Sequence, residues 1–286
     1  MRGRSGFDLP LFFGLLAFSA LLQGCIAHSF MSRGAVADSI ADEAGWRGSD
    51  IETAEFRLRH YAPAARRPRD RIVVYIEGDG LPWKDRASPS SDPTPRDPIA
   101  LRMAVSHGAR DAVYLARPCQ YTLALDKTRC DRRYWTNARY APAVIDAFAQ
   151  ALDQVKSRYR AREFVLVGYS GGGVVAALLA ARRSDVSALV TVAANLDTDH
   201  WTRHHRVTPL FNSLNPADHG KQLMSLPQIH FVGEDDAVVP GHVVQSYARK
   251  VDGSLLRTIR LVDGVDHTCC WADIWPTLLR DAIPRG

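Results

Sequence analysis

FVLVGYSGGGVVAALLAARR, residues 164–183, sets a serine between an apolar run and a helical pattern. The run before it is dense in Val, Leu and Phe, as in a strand buried on both faces. After it, Val174, Ala177, Leu178 and Ala181 repeat at helical spacing. Ser170 stands at the junction within Gly168-Tyr169-Ser170-Gly171-Gly172, which fits G-x-S-x-G, the nucleophile elbow. Such a turn forces the serine into a strained backbone conformation. Side chains two residues either way would strike the neighbouring strand and helix, so both positions must be tiny. The helix that begins there points its positive end at the hydroxyl. The pentapeptide alone is frequent by chance; a buried strand before it and a helix after it make the signal strong.

Outward from this stretch, short β-rich runs alternate with helical patterns. RIVVYIEG (71–78), DAVYLAR (111–117), EFVLVGY (163–169), SALVTVAA (187–194), QIHFVG (228–233) and LRTIRLV (256–262) are expected strands. Val144, Ile145, Phe148, Leu152 and Val155 share one helical face, as do Trp271, Ile274, Trp275 and Leu278. Alternation of this kind predicts an α/β fold: an open, mostly parallel sheet with helices on both faces. AEFRLRHY (54–61) is read as an earlier, antiparallel edge strand. Ser170 then falls at the C-terminal end of a central strand, where open α/β sheets hold their ligands.

A serine hydroxyl is a poor nucleophile. It needs a base, and the base needs an orienting carboxylate. VGEDDAVVP puts Asp236 three residues after Gly233, and VDGVDHTCCW puts His267 after the last strand. Their order, Ser then Asp then His, resembles that of α/β-hydrolases, as do G-x-x-D-x-x-V-P and Gly-x-x-His. The likeness runs from about residue 71 to the C-terminus. YIEGDGLPW, RPCQY, GYSGGG, TVAANLDTDHW, SLNPAD and HTCCW further resemble a group of proteobacterial α/β-hydrolase lipoproteins. The resemblance implies the α/β-hydrolase fold and a Ser170–His267–Asp236 triad that cleaves an ester or related acyl bond. It implies an oxyanion hole from the Gly171 amide and one amide of the Glu77-Gly78-Asp79-Gly80 loop, with Asp79 preferred and Gly80 next. Many members carry His-Gly there, so Glu77 is a departure. An aspartate side chain near a developing negative charge must turn away or bind a cation. Asp235, or Asp197 and Asp199 after the preceding strand, are the other candidates for the acid. A peptidase or amidase on the same fold, and a binding lipoprotein without catalysis, are the alternatives.

Other patterns compete for the same residues. Gly171-x-Gly173-x-x-Ala176, with Asp197 about twenty residues on, also fits a dinucleotide fingerprint. That fingerprint normally opens a domain, whereas at least two strands precede it here. His200 and His204 in DTDHWTRHH would share a helix face and could tempt a metal, but polar residues of a cap are preferred. Residues 195–225 are read as that small cap, and the proline-rich 83–98 as a loop shaping the pocket. No metal or organic cofactor is expected.

At the N-terminus, a basic start, an apolar core and Gly24-Cys25 read as a signal peptide over residues 1–24. LLQGC resembles the lipobox, which implies lipidation of Cys25, and Ile26 after it favours the outer membrane, facing the periplasm. Residues 25–50 are read as the lipidated end and a tether, and 51–286 as the hydrolase domain, roughly the size of one large domain. The net charge of +5 comes from scattered arginines without interleaved aromatics, which argues against nucleic acid. The expected partners are a small-molecule or lipid-like acyl substrate, and the membrane through Cys25. In an oxidising compartment the other four cysteines are expected to pair, with Cys119 to Cys130 favoured as the local bridge. The pairing of Cys269 and Cys270 stays open.

Overall fold

The β-rich runs assemble one sheet in the computed structural model, which describes residues 32–65, 67–108 and 111–282. Its strands are β1 (Trp46–Glu52), β2 (Arg57–Pro63), β3 (Arg71–Ile76), β4 (Ala112–Leu115), β5 (Glu163–Tyr169), β6 (Val186–Val192), β7 (Gln228–Gly233) and β8 (Ile259–Val262). They lie in the order β1-β2-β4-β3-β5-β6-β7-β8. β2 runs antiparallel to both β1 and β4, and every other pairing is parallel.

Alternation along the central strands feeds two cores. Ile72, Val74, Ile76, Phe164 and Leu166 pack on one face, while Val73, Tyr75, Val165, Val167 and Tyr169 pack on the other. On the helical side of the first face lie α3 (Pro142–Tyr159), α4 (Gly171–Ala180) and α7 (Gly241–Val251). Against the second lie α1 (Arg33–Glu43), α2 (Ile99–Ser106) and α8 (Trp271–Ala282). Two helices lie in the segment between β6 and β7: α5 (Thr198–His205) and the single turn α6 (Gly220–Leu223). Every residue of α4 is buried, so its apolar surface runs all the way round rather than along one stripe.

The N-terminal boundary differs from the expectation. Residues 33–50, read as tether, belong to the domain. Ser32 caps α1 by accepting from the Ala35 amide, Ala37, Ala41 and Trp46 are buried, and β1 pairs with β2 along seven residues. Weak periodicity concealed this because α1 buries only alanines and β1 is an edge strand. The expected signal peptide, Cys25 and the start of the tether lie outside the described residues. The last strand is also shorter than expected, its first part forming a 3-10 helix over Gly253–Thr258.

Candidate active site

Parallel strands bring the ends of β3, β5, β6, β7 and β8 to one edge of the sheet, and the chemistry collects there. Ser170 follows β5 with φ +50° and ψ −123°, a conformation that non-glycine residues rarely adopt. Its amide donates to the Val192 carbonyl at 2.8 Å. Close approach explains the flanking glycines. An ideal Cβ at Gly168 would lie 2.4 Å from the Gly172 carbonyl oxygen, and one at Gly172 only 2.1 Å from that of Ile76.

The Ser170 hydroxyl lies 3.1 Å from His267 Nε2, and His267 Nδ1 lies 2.9 Å from Asp236 Oδ2. If Nδ1 carries the proton, it donates to the carboxylate and leaves Nε2 free to accept from the serine. The other carboxylate oxygen, Oδ1, accepts from the Val238 and Val239 amides at 2.8 and 2.7 Å. Its side chain is fully buried and that of His267 is 15% exposed. The loop carrying His267 is held from two directions. Tyr169 donates its hydroxyl to the His267 carbonyl at 2.7 Å, and Asp266 Oδ1 accepts from the Thr268 and Cys269 amides. Of the other acids considered, Asp235 and Asp199 are exposed. Asp197 is buried, but its carboxylate meets Ser246 Oγ at 2.7 Å and Lys250 Nζ at 2.8 Å, not His267. Both of those contacts are to Oδ2, and Oδ1 accepts from the His200 amide at 3.1 Å, so both oxygens that a ribose would need in the dinucleotide reading are occupied.

Asp79, in the loop after β3, lies against Gly171, the residue after Ser170. An ideal Cβ at Gly171 would lie 2.1 Å from Asp79 Oδ1, so the carboxylate covers the residue after the serine. It binds cations: Arg117 Nη1 at 3.0 Å and Arg139 Nη1 at 2.7 Å, with the Tyr140 hydroxyl donating at 3.0 Å. Burial alone would raise the Asp79 carboxyl, yet Arg139 and Arg117 outweigh it and hold the group below the usual carboxylate range. Neither the Asp79 nor the Gly80 amide meets an acceptor among the described residues, and Gly171 opens α4, so its amide has none within the helix.

Glu77 turns away from it. Its Oε1 accepts from the Gly78 amide at 2.9 Å and its Oε2 from the Tyr114 hydroxyl at 3.1 Å. Burial pushes its carboxyl up to about 7, against those donors. The sequence does not single out Arg139, and it marks Arg117 only as the end of DAVYLAR and the start of RPCQY. A single arginine in a loop has no periodicity or spacing to mark it; only the fold closes the ion cluster.

An open cavity of about 1380 Å³ leads to Ser170 and His267. Its walls come from the proline-rich loop (Leu81, Trp83, Pro95) and from the cap (Trp201, Val207, Leu210). In the cap, His200 Nε2 lies 2.9 Å from His242 Nδ1, a hydrogen-bonded pair. Among the described residues no three or more His, Cys, Asp or Glu side chains are arranged to hold a metal. Cys119 and Cys130 are bonded, with Cα atoms 5.6 Å apart, and Cys269 is bonded to Cys270.

A family model for the alpha/beta hydrolase fold matches residues 116–213. An alpha-beta serine hydrolase homologue from Coxiella burnetii superposes with a TM-score of 0.54 at 14% identity, covering 82% of this chain and 96% of that one. An esterase domain from Rhodothermus marinus superposes with a TM-score of 0.53 at 15% identity, over 82% and 95% of the two chains. A Pyrococcus furiosus esterase gives 0.53 at 12% identity, over 84% and 93%. No curated protein matches the chain. The fold is the α/β-hydrolase fold.

Proposed function

We propose that the protein is a serine hydrolase that cleaves an ester or related acyl bond. One observation carries the reading: the unbroken relay from Ser170 Oγ through His267 to a buried Asp236 carboxylate, at 3.1 and 2.9 Å. In this reading His267 Nε2 takes the hydroxyl proton as Ser170 Oγ attacks the acyl carbon. The oxyanion that forms is received by the Gly171 amide and by that of Asp79 or Gly80. Collapse breaks the bond to the alcohol, which leaves with the proton from His267. Water then attacks the acyl-enzyme with His267 again as base, releasing the acid and restoring the serine. Asp236 keeps Nδ1–H facing away from Ser170 and supports the imidazolium. The 3.1 and 2.9 Å contacts support the roles given to Ser170, His267 and Asp236, and the unpaired Asp79 and Gly80 amides with Gly171 at the start of α4 support the oxyanion reading.

The mature chain is further proposed to start at lipidated Cys25 and to stand on the outer membrane facing the periplasm, on the strength of LLQGC and Ile26. A native membrane fraction treated with a fluorophosphonate probe tests both levels. The peptide containing Ser170 should carry the probe, the N-terminal peptide a diacylglyceryl-cysteine, and Ser170→Ala should abolish labelling while remaining folded. Labelling at another residue would remove the serine assignment. A soluble chain starting elsewhere would remove the anchor and leave the chemistry standing.

A further inference from the structure

The ion cluster beside the nucleophile contains more positive charge than it neutralises. Arg117 and Arg139 share the single carboxylate of Asp79, and no other acid among the described residues forms an ion pair with either guanidinium. The side chains of Arg117 and Arg139 are only 5% and 7% exposed. A buried cation without a counter-charge is costly, and an incoming anion would relieve that cost.

The two arginines are not equivalent. Arg117 does not line the cavity; it gives one nitrogen to Asp79 and another to the Arg139 carbonyl, and its Nε is buried without an acceptor among the described residues. Arg139 uses Nε on the Thr136 carbonyl at 2.6 Å and Nη1 on Asp79. Its Nη2 meets no acceptor in hydrogen-bonding geometry among the described residues, and Arg139 lines the cavity. Asp79 Oδ2 holds the Arg139 guanidinium, and Oδ1 of the same carboxylate lies against Gly171, the residue after Ser170.

The cavity rim has the same sign. Arg86, Arg96 and Arg206 line it, are exposed, and have no carboxylate partner among the described residues. The two exposed acids on the rim are already engaged: Asp85 accepts from the Ala87 and Ser88 amides, and Asp97 from Arg102. A guanidinium in a fixed orientation, approached past a positive rim, suits a carboxylate or phosphate oxygen.

We infer that the site takes acyl esters bearing an anionic group, and that Arg139 is the specificity-determining residue that receives it. The inference rests on the serine-hydrolase reading and names the substrate class of the same site. The negative group lies beside the scissile bond, within reach of the cavity floor, while the rim arginines raise its local concentration.

Matched ester pairs test it in two arms, one for each source of the anion. The first compares mono-4-nitrophenyl glutarate, with an acyl-side carboxylate, against neutral 4-nitrophenyl pentanoate. The second compares 1-butanoylglycerol 3-phosphate against 1-butanoylglycerol. At least one arm should show kcat/KM favouring the anion by roughly 10- to 100-fold, the size of one charge-assisted hydrogen bond. That preference should shrink as NaCl is raised, because part of it comes from exposed charges. Arg139→Gln should collapse the ratio mainly through KM for the anionic ester, and Arg139→Lys should restore part of it. Should Arg139→Gln not fold, Arg86→Gln/Arg96→Gln on the exposed rim should still lower the ratio and its salt dependence.

Neutral esters hydrolysed as fast as anionic ones in both arms would overturn the inference and leave the hydrolase reading intact. Equal loss on both esters in Arg139→Gln would also overturn it, because that is the signature of a general oxyanion effect. No turnover of any ester, with no probe on Ser170, would instead remove the reading beneath it.

Discussion

Two buried carboxylates stand at the ends of neighbouring strands, Asp197 after β6 and Asp236 after β7, and both side chains are fully buried. Burial does not separate them; their partners do. Asp236 has one oxygen pinned by two backbone amides and the other presented to an imidazole. Asp197 has one oxygen on the His200 amide at the start of α5 and the other on Ser246 and Lys250 of α7. The first carboxylate is held in place by the main chain with its remaining oxygen turned to His267. The second is tied to a permanent cation and staples the cap to the domain. What the second oxygen faces is thus what tells the two buried carboxylates apart.

The largest effect separating the two should come from Asp236→Asn. An amide there preserves shape, but it favours the wrong histidine tautomer, and turnover should fall by up to ~10⁴-fold. Thermal stability should change little, since the Val238 and Val239 amides can still be met by the remaining carbonyl oxygen. Ester turnover and a thermal melt on the same preparation measure both. Normal turnover in this variant would dissolve the comparison.

Asp197→Asn should show the opposite profile, with turnover within a few fold and stability lower by about 1–3 kcal/mol, the range for a hydrogen bond to a charged group. Burial would raise the Asp197 carboxyl, but Lys250, Ser246 and the His200 amide outweigh it and hold the group below its ordinary value. A carboxyl depressed in the folded state stabilises fully above the unfolded value, near pH 4, and loses that contribution as pH falls through the folded one. The wild-type melting temperature should therefore drop more steeply below pH 4 than that of the asparagine variant. Parallel pH curves would show that the Lys250 contact contributes nothing. A crippled turnover would move the acid to the earlier strand.

The parts of this site legible in the sequence were those that local rules constrain. Gly168 and Gly172 announce the elbow because backbone atoms leave no room there, and β5 and α4 announce themselves by density of Val, Leu and Ala. The choice between Asp197 and Asp236 needed a family frame, since both follow apolar strands with similar loops. The Asp79–Arg117–Arg139 cluster was invisible because its members, 38 and 60 residues from Asp79, meet only through the fold. Even so, the requirement that Asp79 turn away or bind a cation could be stated beforehand, from the sign of the charge that must develop next to it, and the structure shows the second. α1 and β1 escaped for a different reason: alanine burial and an edge position produce almost no periodic signal.

The smallest expected effect belongs to Asp235, the immediate neighbour of Asp236. The turn after β7 sends the two side chains in different directions, one buried and the other exposed. The structural contribution of Asp235 comes from its backbone, whose amide donates to the Val265 carbonyl at 3.1 Å and ties the acid loop to the stretch leading to His267. Asparagine keeps that amide. Asp235→Asn should therefore leave turnover within about twofold and stability within about 0.5 kcal/mol, as for an ordinary surface substitution. Asp235→Pro removes the same amide and should damage turnover, because the loop that positions both Asp236 and His267 loses its tie. If Asp235→Asn were the damaging change and Asp235→Pro harmless, the side chain would matter and the backbone tie would not. The distinction drawn between neighbouring carboxylates by the partner of each oxygen would then fail at its simplest case.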